Sequence, residues 1–275
     1  MSGFLDEMAS LSEARVAQAR RHESTDTLQR RARRAAPSAP LRLSNKGFGV
    51  IAELKLRSPA AGSLSDGRED WLGRVAAYAR GGAVAVSVLT EPTRFDGSLE
   101  HLRQAAAVLA PLGVPAMRKD FLVDPYQVLE ARAAGAGGVL VILRMLSRGR
   151  IEELLDVAAE HGMFVLLEAF DEADLAMARD LLAPRAADRQ SLLIGVNCRD
   201  LQTLHVVMER FAALAPLLPP GWPAVAESGV ASAEDALRVR KLGYHAALIG
   251  TALMAHREPS QLIRAIYDAT RTVQP

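Results

Sequence analysis

A single cysteine, Cys198, stands in 275 residues, so no internal disulfide can form and a reducing cytoplasmic setting is expected. Long apolar runs are missing too: nothing reaches the roughly 18 residues that would suggest a transmembrane helix. Neither sign of charge is in excess, because 33 Lys and Arg against 32 Asp and Glu leave a formal net charge of +1. That balance excludes a strongly basic nucleic-acid binder. The start carries Asp6 and Glu7 where a signal peptide needs a positive charge and an apolar stretch, so secretion is not expected. None of the six histidines (His22, His101, His161, His205, His245, His256) has metal-ligand spacing, and no metal site is expected from them. The glycine fingerprint of a dinucleotide fold is also missing: Gly135, Gly137 and Gly138 precede an apolar strand instead of following one.

What is present is the composition of an ordinary globular protein, 49% hydrophobic and 24% charged, long enough to bury a sizeable core. Residues 1–45 read as a helical extension packed on the rest. Phe4, Leu5, Met8, Leu11 and Val16 recur near helical spacing, and Pro37 and Pro40 break the chain before residues 46–275. Arginines cluster in this extension (Arg15, Arg20, Arg21, Arg30, Arg31, Arg33, Arg34), interspersed with Glu13, Glu23 and Asp26. Between Glu13 and Arg34 there is no aromatic residue to stack on bases, which favours a solvated helix face over an RNA-binding arm.

From Gly49 onward, eight apolar runs alternate with segments of helical periodicity: Gly49 to Leu54, Ala83 to Leu89, Val114 to Arg118, Gly138 to Leu143, Phe164 to Glu168, Leu192 to Asn197, Ala224 to Glu227 and Ala246 to Ile249. Continuous apolar runs are the pattern of parallel strands covered on both faces. Asp124-Pro125 and Ser232 through Asp235 supply helix starts, and Gly135 and Gly243 supply stops. Eight strand-helix units predict a closed (β/α)8 TIM barrel, with a doubly wound open sheet as the competing architecture.

In such barrels chemistry belongs at the carboxyl ends of the strands. The first run closes on Glu53 and Lys55, which alternation points to the same side. The third closes on Arg118-Lys119-Asp120-Phe121, the fifth on Glu168, and the sixth on Asn197-Cys198-Arg199. So many charged groups at one rim need a charged ligand or mutual pairing to offset their desolvation. Glu227-Ser228-Gly229 and Gly250-Thr251 follow the last two strands, where barrels of this kind bind phosphate. Alternation turns Cys198 toward the helices, and it reads as packing.

These segments, taken together over nearly the whole chain, resemble the indole-3-glycerol-phosphate synthase family. They run from Ile51-Ala52-Glu53-Leu54-Lys55 with Ser58-Pro59, through Ser87 to Glu91 with Phe95 to Ser98, and Arg118 to Phe121 with Asp124-Pro125-Tyr126, to Leu167-Glu168, Gly195 to Leu201, Ala226 to Val230 and Ile249 to Met254. The resemblance implies ring closure of 1-(2-carboxyphenylamino)-1-deoxyribulose 5-phosphate to indole-3-glycerol phosphate, in tryptophan or in a specialised indole biosynthesis, with loss of carbon dioxide and water and no cofactor or metal. It implies Lys119 as general acid, Glu168 in proton transfer, Lys55 on the anthranilate carboxylate or as a second acid, and Glu53 and Asn197 in positioning. Arg199, Ser228, Gly229, Gly250 and Thr251 would hold anionic groups, chiefly the phosphate, Ser58 and Glu227 would be further substrate-binding residues, and Phe95 and Phe121 would flank the ring. The implied partner is a phosphorylated small molecule, with other tryptophan-pathway enzymes as candidate companions and neither nucleic acid nor membrane. Leu56, where the family commonly has arginine, and Ala60-Ala61 depart from the family pattern. They keep open a catalytically silent phosphate-binding barrel; an isomerase of phosphoribosyl anthranilate is a second alternative, although it would not need two inward lysines plus Glu168.

Overall fold

In a computed structural model the described residues are 3–43, 47–58, 62–63, 70–185, 191–201 and 203–273. Eight strands pair in parallel and close on themselves: β1 (Gly49–Leu54), β2 (Ala85–Leu89), β3 (Ala116–Lys119), β4 (Gly138–Ile142), β5 (Phe164–Ala169), β6 (Leu192–Asn197), β7 (Ala224–Glu227) and β8 (Ala246–Ile249). Closure is made where Gly49 of β1 pairs with Ala246 of β8, while Ile51 on the same strand pairs with Ala85 of β2. The runs are apolar throughout because each strand feeds two cores. Ile51, Ala85, Met117, Leu166, Leu193 and Val225 fill the barrel, whereas the alternate Val50, Ala52, Val86, Val165, Ile194 and Ala226 meet the helices.

Two helices, α1 (Phe4–His22) and α2 (Thr25–Arg34), precede the barrel. Its crossovers carry α3 (Trp71–Gly81), α4 (Leu99–Leu109), α5 (Pro125–Ala133), α6 (Arg148–Glu160), α7 (Glu172–Leu182), α8 (Glu209–Leu214), α9 (Ala233–Lys241) and α10 (Pro259–Thr270). The expected starts are where they should be. Asp124 accepts from the Tyr126 amide ahead of Pro125, and Ser232 exchanges bonds with Asp235 in a capping box. Strands two and three begin two residues later than periodicity suggests. The Ala83 amide is spent on Tyr78 O and the Val114 amide on Leu109 O, closing the preceding helices, and Pro115 has no N–H to offer a ladder.

The arginines of the extension are not simply solvated, contrary to expectation. Arg15 pairs with the buried Asp120 at 2.7 Å, Arg20 with Asp124 at 2.8 Å, Arg31 with Glu23 at 2.7 Å and Arg33 with Glu160 at 2.7 Å. Ser12 donates to Phe121 O at 2.5 Å and accepts from Gln127 Nε2 at 2.8 Å. α1 is therefore fastened to the chain that leaves β3, beside the carboxyl-terminal rim of the barrel. Among the described residues no helix is long and apolar enough to cross a membrane.

Candidate active site

Alternation brings the strand-end polar residues together. Glu53 (β1), Lys119 (β3), Glu168 (β5), Asn197 (β6) and Glu227 (β7), with Lys55 and Arg199 just past their strands, line one cavity of about 430 Å³. Lys55 Nζ lies 3.0 Å from Glu53 Oε1, and Lys119 Nζ lies 3.8 Å from Glu53 Oε2. Glu53 thus sits between two ammonium groups. Burial alone would raise its pKa, but the charges of Lys55 and Lys119 outweigh that and hold it below the ordinary value. Lys119 is displaced the other way. Burial opposes its charge, yet Glu168, Glu53 and Glu227 together keep its pKa above the usual lysine value, so it enters any reaction as a cation.

Asn197 organises the opposite side. Its Nδ2 donates to Glu168 Oε1 at 2.9 Å, and its Oδ1 accepts from Ser228 Oγ and from the Arg199 amide, each at 2.9 Å. The amide orientation is set by these three bonds, and it leaves Glu168 Oε2 buried without a hydrogen-bond partner. Glu227 is in the same condition on both oxygens. Burial, then the charge of Glu168, push Glu227 well above the ordinary carboxylate range. Glu227 thus stands with Glu53 and Glu168 among the acids that act on Lys119.

Beyond the acids lie the two glycine turns. Ser228 and Gly229 both hold positive φ, 66° and 83°, and a side chain at Gly229 would run into Met208 and stand 2.7 Å from Val206. Gly250 precedes a single helical turn over Thr251–Ala255. A Cβ at Gly250 would collide with Glu53 Oε1 and lie 3.3 Å from Lys55 Nζ, so this glycine makes room for the Glu53–Lys55 pair. Arg199 donates to Leu204 O at 2.8 Å within its loop. Phe95 and Phe121 stand 6.1 Å apart on the apolar wall.

Of the catalytic and substrate-binding residues that the resemblance implies, all but Ser58 line this cavity; Arg118, charged and at a strand end, instead pairs with Asp120 and Glu130. Ser58 pairs through its backbone with Gly62 in a two-residue ladder, and its side chain lies outside the described residues, as do Ala60 and Ala61. Leu56 is half-buried against the apolar layer between barrel and helices. The site also includes residues not expected there. Phe4 and Leu5 reach the cavity from the first turn of α1, with the Phe4 ring edge-on to Phe121 at 5.7 Å, and Leu140, Ile142 and Phe170 complete the apolar wall. Phe4 and Leu5 were legible as an apolar helix face, but nothing local tells which surface that face covers.

A closed barrel of parallel strands, with lysines and carboxylates at the strand ends and glycine turns after the last two, defines a (β/α)8-barrel enzyme. A family model described as Indole-3-glycerol phosphate synthase matches residues 5–266, and the chain belongs to that family. Curated relatives of that name include one from Parafrankia sp. (strain EAN1pec), 43% identical over 80% of this chain and 78% of its own length. Another, from Methanopyrus kandleri, is 42% identical over 84% of this chain and 87% of the relative. Among solved structures, 3-hexulose-6-phosphate synthase from Salmonella typhimurium superposes with a TM-score of 0.60 over 81% of this chain and 98% of that one. At 13% identity that likeness is one of fold alone.

Proposed function

We propose that this chain is a decarboxylating lyase of tryptophan biosynthesis that closes the pyrrole ring of indole-3-glycerol phosphate from 1-(2-carboxyphenylamino)-1-deoxyribulose 5-phosphate. The observation that carries the chemical assignment is the Lys119 ammonium, 3.8 Å from Glu53 and within the field of Glu168 and Glu227, at the floor of a cavity with an apolar wall. Ring closure needs a proton delivered to the ketone oxygen as the ring carbon attacks it, and a fixed cation is suited to that delivery. Lys119 takes this role. The carbon bond that forms is followed by loss of carbon dioxide, which restores electrons to the ring, and then by loss of water.

In this reading the substrate ring lies against Phe4, Phe95 and Phe121, and Lys55 meets its carboxylate until decarboxylation. Glu53 lies between Lys55 and Lys119 and helps to keep Lys119 charged. Glu168, held by Asn197, takes part in the proton transfers of dehydration. The phosphate goes to the far side of the mouth, to Arg199 and the backbone around Gly229, Gly250 and Thr251. The Ser228 hydroxyl is engaged by Asn197 and couples the two ends of the site. Residues 1–45 act as an extension that adds Phe4 and Leu5 to the barrel of residues 46–275. We place the reaction in the cytoplasm, next to the enzymes that make its substrate and consume its product.

The test is direct. Purified protein mixed with the carboxyphenylamino-deoxyribulose phosphate should develop indole fluorescence and release one carbon dioxide per indole formed. Tight binding without fluorescence would instead mark a silent phosphate-binding barrel.

A further inference from the structure

The floor of the cavity contains two acids that share no ordinary partner. Glu168 stands on β5 and Glu227 on β7, separated by β6, on which Gly195 pairs with Glu168 in the ladder. Three of their four carboxyl oxygens are buried with no hydrogen-bond donor, the exception being Glu168 Oε1 on the Asn197 amide. Two bare carboxylates so placed would carry a heavy desolvation cost and would repel each other.

Gly195 is what allows the approach. It faces the barrel interior, and a Cβ there would fall far inside van der Waals contact with Glu227 Oε1 and 3.2 Å from Leu166 Cδ1. Its backbone does not have a positive φ, so no turn geometry calls for glycine at this position. The missing side chain is a slot, and Glu227 lays its carboxyl in it on the way toward Glu168.

We propose that Gly195 is a positioning residue, whose lack of a side chain lets Glu227 reach Glu168 so that the two acids hold a single proton between them. This deepens the proposed function and rests on it for the consequence: a pair with one proton presents a donor and an acceptor side by side, as loss of water requires. The raised pKa of Glu227, from burial and the Glu168 charge, agrees with that arrangement. The groups facing the pair are Lys119 from β3, Glu53 and Lys55 from β1, and Asn197 and Arg199 from the end of β6. Lys119 balances the pair's remaining negative charge.

The experiment reads the proton itself, separately from turnover. Infrared spectroscopy of the whole protein at neutral pH should show the carbonyl stretch of a buried protonated carboxyl. Glu227→Gln should remove it. Gly195→Ala presses on the ends of two side chains, the Glu227 carboxyl and Leu166 Cδ1, and on no backbone atom; it should fold and move that band's titration down by about one pH unit. In activity, Gly195→Ala should lower kcat about tenfold or more with KM little changed, and shift the pH limb in step with the band. A protonated band that persists in Glu227→Gln, or a Gly195→Ala protein with wild-type titration and pH profile, would overturn the proposal. If the wild type forms no indole product yet shows the band and its shift, the shared proton stands and the assigned reaction fails. The reverse outcome removes the pair and leaves the reaction.

Discussion

Lys119 and Glu53 show how position sets the chemistry of a side chain. The same burial that should neutralise a lone lysine leaves Lys119 charged, because three carboxyl groups surround it. Lys119→Ala should therefore lower turnover about 10²- to 10⁴-fold, the usual worth of a general acid, while affinity for the phosphorylated substrate changes little. Steady-state kinetics with a separate binding titration decides this, and wild-type kcat in the variant would exclude Lys119 as the acid. Gly229 makes the complementary case. With φ 83° and Val206 facing the would-be Cβ at 2.7 Å, Gly229→Val should distort the turn and raise KM several-fold more than it lowers kcat. Cys198 tests the inward-outward alternation. Its thiol is buried, donates to Ser228 O at 3.2 Å, and burial pushes its pKa up to about 11. Alkylation at neutral pH should label it only after unfolding, and rapid labelling of the native protein would contradict its orientation.

At the scale of elements, the docking of α1 joins the extension to the end of β3, which carries Lys119. Asp120 follows Lys119 directly and is held by Arg15 at 2.7 Å, Arg118 at 3.0 Å and the Thr90 hydroxyl at 2.6 Å. Burial would raise its pKa, but the two arginines and the Arg15 and Thr90 hydrogen bonds win and hold it well below the ordinary aspartate value. The stability this contributes is fully present above the unfolded pKa of about 4 and is lost as pH falls toward the folded one. Asp120→Asn should cost about 3 kcal/mol by leaving Arg118 under-compensated, and should flatten that acid limb. Thermal melts across pH check both. Arg15→Ala should cost less, since Arg15 is only partly buried, but should make α1 more easily cleaved by protease. Equal melting temperatures for wild type and Asp120→Asn at neutral pH would show the latch to be inert.

At the scale of the molecule, most of the barrel could be read from sequence because each rule involved is local. Strands β1, β6, β7 and β8 match their apolar runs end to end, and the caps at Asp124 and Ser232 are where local chemistry puts them. The strand-end acids and lysines were legible for the same reason, since period-two alternation decides whether Glu53 and Lys55 face in. What could not be read depends on contacts distant in sequence. Arg15 meets Asp120 across 105 positions, Phe4 reaches Phe121, and the Glu227 carboxyl occupies the space that Gly195, on another strand, leaves open. The proposed chemistry likewise depends on relative placement, with an acid-base floor and an anion cradle at opposite ends of one substrate. The most direct measurement is a crystal structure with the substrate whose ketone has been reduced to an alcohol. That alcohol oxygen should lie within hydrogen-bond distance of Lys119 Nζ, with the ring on Phe95 and Phe121 and the phosphate at the turns of Gly229 and Gly250. A phosphate seated on Lys119, with the ring at the glycine turns, would contradict it.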